Sequence, residues 1–81
     1  MGDMWGKWDE RVTIRQAEDG RWAVAADGND CAAWKDVEVA EVGRKKLIQM
    51  LEDGGGIPFI IAAWLNWMRG YIDRLAGERE G

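Results

Sequence analysis

Residues 57–75 read IPFIIAAWLNWMRGYIDRL, and the rest of the chain must be arranged around this stretch. Ile57, Ile61, Trp64, Met68, Tyr71 and Leu75 recur at three- and four-residue steps, the spacing that stacks side chains along one helix face. Ile60, Trp67 and Ile72 widen that stripe. A helix so broadly apolar either lies between the body of the chain and a partner or pairs with its own copy. Pro58 suits its first turn. Gly70 weakens its second half by roughly 1 kcal/mol relative to Ala, a cost easier to accept if another backbone or side chain approaches there. Gly77 is expected to end the helix and leave residues 77–81 as a frayed tail. The apolar run Ile57 to Met68 falls short of the ~20 residues a membrane span requires, so no membrane role is expected.

Upstream, Arg11 to Ala26 reads as a β-hairpin, because Val12, Ile14 and Gln16 alternate with Thr13, Arg15 and Ala17, and Trp22, Val24 and Ala26 alternate with Arg21, Ala23 and Ala25. A two-residue turn at Asp19-Gly20 would set Ile14 opposite Ala25 and split the large apolar side chains between the two faces. A three-residue loop, Glu18-Asp19-Gly20, sets Ile14 opposite Val24 and Gln16 opposite Trp22, and gathers them on one face. The three-residue loop is therefore expected. Asp27 to Asp30 forms a polar turn. Cys31 to Lys35 can add a third strand with either Cys31 and Ala33 or Trp34 inward, and the pattern does not decide which. Asp36 is a good N-cap for a helix over Val37 to Glu52 that presents Ala40, Gly43, Leu47, Met50 and Leu51 on one side. The alternating Val37 and Val39 also permit a longer strand instead.

The expected fold class is α+β: a small antiparallel sheet of two or three strands with two helices packed on one face, in the order ββ(β)αα. Residues 1–10 form an N-terminal arm with Trp5 and Trp8, and residues 11–76 form one domain. Six Trp residues in 81 are many, and most of them, Trp22 and Trp64 first, are expected to build the small core.

The missing residue types bear most on function. The chain has no His and no Ser, and Thr13 is its only Thr. This removes Ser–His and Cys–His nucleophiles, the commonest general base and the usual transition-metal ligand sets. Asp27-Gly28-Asn29-Asp30 resembles the start of a calcium loop but lacks the later acidic ligand. Gly54-Gly55-Gly56 lacks the Lys of a phosphate loop. No enzyme activity, cofactor or metal is expected. Cys31 is alone and reads as a small buried apolar residue in a reducing, cytoplasmic setting, and the polar N-terminus shows no signal peptide.

The net charge is −4, which disfavours nucleic acid as a partner; the one basic run, Arg44-Lys45-Lys46, reads as a solvated helix face. Acidic residues concentrate between Glu18 and Glu41, and such a field favours a protein with a basic surface. The expectation is thus a small acidic module that occludes a basic surface. Its contact residues would be Asp27, Asp30, Asp36, Glu38 and Glu41, with Trp64, Trp67 and Tyr71 as aromatic anchors. The alternative is a structural or assembly protein, self-associating as a homodimer that buries Ile60, Trp64, Trp67 and Tyr71 of the C-terminal helix.

From Glu18 to Glu52 the chain resembles the N-terminal core of the HicB family of antitoxins. The matching features are Asp19-Gly20-Arg21-Trp22, a polar turn leading to Cys31, Asp36 five residues later, and the helix running to Leu51-Glu52. The resemblance implies a three-stranded antiparallel sheet with a helix packed on it, and a role in blocking a small basic RNase toxin. Ala26-Asp27-Gly28-Asn29-Asp30 replaces that family's Pro-rich turn, the spacing from Asp36 into the helix is one residue short, and no DNA-binding segment is evident after residue 52. A phage inhibitor of the anti-CRISPR type would work by the same kind of occlusion.

Overall fold

The computed structural model describes residues 8–80, with side chains through residue 78; Trp5 and the rest of residues 1–7 of the N-terminal arm lie outside the described residues. A short helix α1 (Trp8–Arg11) leads directly into strand β1 (Val12–Gln16). Strand β2 (Trp22–Ala26) returns antiparallel with Ile14 opposite Val24 and Gln16 opposite Trp22. This is the register expected from gathering the apolar side chains. Gly20 makes it reachable: at φ 90° it occupies the left-handed position of the three-residue loop, and the Ala17 N–H donates to the Arg21 carbonyl at 2.7 Å.

Strand β3 (Asn29–Trp34) follows a tight turn in which Asp27 and Gly28 both have positive φ, 53° and 86°. The sheet order is β1-β2-β3. The pairing of β3 slips between Val24 and Ala25: Val24 faces Ala32 but Ala25 faces Asp30, so Cys31 is an extra, bulged residue. The bulge resolves the choice left open by the sequence. Cys31, Ala32 and Trp34 all pack against the core, while Ala33 pairs with Ala23 on the other face.

Asp36 caps helix α2 (Val37–Asp53), accepting the Glu38 N–H on Oδ1 at 2.9 Å from an extended backbone. Val37 and Val39 therefore lie in the helix and not in a longer strand. Val39, Ala40, Gly43, Leu47 and Leu51 are buried on α2, with Met50 half-buried. Helix α3 (Ile57–Glu80) follows Gly54-Gly55-Gly56 and continues through Gly77, so its end lies beyond the expected stop.

Helix α2 lies on the sheet, and α3 packs mainly on α2. Ile60, Trp64 and Met68, one turn apart, are the buried residues of α3. Ile57, expected in the core stripe, is instead 47% exposed in the first turn of α3, at the edge of a pocket it shares with Cys31, Leu51 and Ile61. Gly43 permits the close crossing of the two helices. A Cβ there would sit 3.1 Å from Met68 Cε and 3.3 Å from a Trp34 ring carbon. The bare Gly43 carbonyl accepts the indole N–H of Trp64 at 2.8 Å, which satisfies the only polar atom of a fully buried side chain. Trp34 meets the Trp64 ring edge-to-face at 5.7 Å. None of the described helices is long and apolar enough to cross a membrane.

Candidate functional site

Eight residues were expected to meet a partner, and the fold brings only some of them together. Asp27 is engaged by Arg11, whose Nε and Nη2 donate to its two carboxylate oxygens at 2.8 and 2.7 Å. That guanidinium holds the Asp27 carboxyl below the usual aspartate range, chiefly through the hydrogen bond. Asp30 is engaged by Arg15 at 2.9 Å, in an ion pair that spans β2 over the small side chains of Ala23 and Ala25. The acidic field expected from residues 18–41 is therefore partly neutralised by Arg11 at the end of α1 and Arg15 on β1, a non-local pairing with no local signature in the sequence. Asp36 is used in capping α2.

Trp64 needs correction as a contact residue. It is fully buried, and its N–H is bonded within the protein, so a partner cannot reach it while the fold is intact. The expected homodimer through Ile60, Trp64, Trp67 and Tyr71 fails in that form for the same reason, since Ile60 and Trp64 are core residues.

Glu38, Glu41 and Tyr71 do converge. With Ile14, Val42, Arg44 and Lys45 they line a wide, open cleft of about 750 Å³ across the first turns of α2. Tyr71 stacks on Trp67, with centroids 5.6 Å apart and planes 4° apart, and the Lys46 Nζ lies 4.9 Å from the Trp67 ring centroid. This ladder of cation, indole and phenol holds Trp67 in place with 39% of its surface exposed.

The basic run at residues 44–46 is not a uniform solvated face. Arg44 turns inward, donating from Nε to the Val12 carbonyl at 2.8 Å and from Nη2 to the Asp9 carbonyl. Lys46 covers Trp67, and Lys45 is exposed. Cys31 is half-buried, and burial raises its thiol pKa. Of the segment 27–30, expected to be a polar turn, only Asp27 and Gly28 form the turn between β2 and β3, while Asn29 and Asp30 begin β3; no group of three or more potential metal ligands forms among the described residues.

Phe59 is the largest surface feature that the periodic reading passed over. It is 81% exposed at the start of α3, beside a shallow groove lined by Met50, Asp53, Gly54 to Gly56, Ile60 and Ala63. Its position off the Ile60–Trp64–Met68 line was the available signal.

No family model, no curated protein and no solved structure matches the chain. Its function is therefore argued from its own surface.

Proposed function

We propose that the chain is a non-catalytic protein-binding module that inhibits its partner by covering a basic surface, in the manner of an antitoxin or a phage anti-defence inhibitor. The observation that carries this reading is the junction of Glu38 and Glu41 along one open cleft with Tyr71, which is itself stacked on Trp67. Carboxylates beside a rigid, partly exposed aromatic pair suit a partner side chain that is both cationic and flat, such as arginine. The net charge of −4 speeds encounter with such a surface. Asp27 and Asp30 are set aside as contacts, because their arginine partners already meet them.

Affinity purification of the tagged protein from its source cells, with the captured protein identified by mass spectrometry, tests this. The captured protein should be basic and should elute as salt is raised. The double variant Glu38→Lys/Glu41→Lys and the single variant Trp67→Ala should each lose it, and Asp30→Asn should keep it. Capture of a neutral protein that is indifferent to ionic strength, or retention by both loss variants, overturns the proposal.

A further inference from the structure

The sheet has two edges, and side chains of the described residues close only one of them. Antiparallel strands bond through alternate residues. The Ala17 N–H donates to the Arg21 carbonyl and the Asp27 N–H to the Arg11 carbonyl, so the odd-numbered residues of β2 bond to β1. The pairs Trp22–Trp34 and Val24–Ala32 therefore exchange the bonds between β2 and β3. By the same alternation Val12 on β1 and Ala33 on β3 turn their main-chain groups outward. The Val12 carbonyl is met by Arg44 Nε at 2.8 Å. No side chain among the described residues does the same for Ala33. Cys31 to Trp34 is moreover an uncharged run without Pro, the kind of edge that accepts another strand.

What stands beside that edge narrows the occupant. Helix α3 packs on α2 more than on the sheet, and a groove of about 340 Å³ separates it from β3. Ala32 and Trp34 form one bank of the groove, and Leu65, Met68 and Ile72 form the other. A strand paired to β3 would lie here. Its residue opposite Ala33 would point away from the helices, and the residues on either side of it would point into the groove. Arg69 and Asp73 also line the groove, without ion-pair partners among the described residues, so an occupant with charges of both signs complements it. A second copy fits poorly. Two-fold pairing of β3 with itself keeps the helices of both copies on one face, where the two α3 helices contend for the space above the joint.

We infer that β3 accepts a fourth strand from another protein. The strand is an extended segment with no helix of its own on that face, with apolar residues at alternate positions and an acidic and a basic residue beside them. Main-chain bonds supply the affinity, and the groove selects the side chains. The groove shares no lining residue with the Glu38–Tyr71 cleft, so the inference stands apart from the proposed inhibition.

Panning a random heptapeptide library on phage against the immobilised full chain, then fluorescence polarisation with the best synthetic peptide, tests this. Enriched peptides should alternate apolar residues and lack a central proline. Ala33→Pro should weaken binding about tenfold or more, because it removes the outward N–H. The sheet should survive, since that N–H does not bond β2, and circular dichroism checks this. Leu65→Glu should also weaken binding, and Glu38→Lys/Glu41→Lys should leave it unchanged. N-methylation of the peptide, one residue at a time, reads the pairing without touching the protein: it should abolish binding at alternate residues only. Failure to enrich an alternating pattern, a flat methylation profile, or binding that survives both Ala33→Pro and Leu65→Glu overturns the inference. So does a chain that sediments as a dimer and becomes a monomer with Ala33→Pro, because a second copy then holds the edge.

Discussion

Trp64 and Phe59 lie on one helix, five residues apart, and differ in nearly every consequence. Trp64 is fully buried, bonded to the Gly43 carbonyl and edge-on to Trp34. Trp64→Ala should lower unfolding free energy by about 3–5 kcal/mol, read from urea denaturation. Phe59→Ala should stay within about 0.5 kcal/mol in dilute solution. Equal losses at the two positions would contradict the assignment of Trp64 to the core. Two titrating groups add pH dependence. Burial raises the Cys31 thiol pKa. Its contribution is present below the unfolded thiol value and lost as pH rises through the higher folded value. Reaction with a thiol-specific disulfide reagent should therefore reach half its maximum rate at a higher pH in the folded chain than in urea. Asp27 has the opposite sign. Its hydrogen bond from Arg11 lowers the folded pKa, so its contribution is present above the unfolded value, about 3.9, and lost as pH falls through the lowered one. Asp27→Asn should flatten that part of the acid melting profile. The effect should be small, because both side chains are exposed.

At the scale of elements, α2 begins at Asp36 because its carboxylate takes up the Glu38 N–H, and Asp36→Ala should cost about 1 kcal/mol in thermal or urea unfolding. Gly70 lies inside α3 with open space around it. Gly70→Ala should thus stabilise the dilute monomer by up to about 1 kcal/mol, and a loss instead would mean that position has an unseen neighbour. These elements also show where sequence reading works. The hairpin register was legible because a one-residue slip would scatter Ile14, Trp22 and Val24 over two faces, and Gly20 supplies the one backbone conformation the longer loop requires. The helix start was legible from Asp36. The face of β3 was not, since the bulge at Cys31 carries no glycine and is specified only by how β2 and β3 settle against each other. The contact residues divide on the same line. Glu38, Glu41 and Tyr71 come together through the crossing of α2 and α3, whereas the pairing of Asp27 and Asp30 depends on arginines 16 and 15 residues away. No local pattern announces either arrangement.

For the molecule as a whole, a long α3 on a small sheet-and-helix body gives an elongated form of 48 × 27 × 20 Å. Its tryptophans sample very different depths, which makes quenching a direct test of the packing. Acrylamide should quench Trp67 readily and Trp64 hardly at all, so Trp67→Phe should remove more of the accessible emission than Trp64→Phe removes. One further feature concerns tolerance to change. Arg44 ties α1, β1 and α2 together, yet both its partners are main-chain carbonyls, of Val12 and Asp9. The side chain at position 9 is thus free to drift without loosening the joint, while position 44 admits no equivalent. Lysine lacks the planar fork that reaches two oxygens at once. In a saturation library scored for folded protein, position 9 should accept most residues and position 44 should reject even Arg44→Lys.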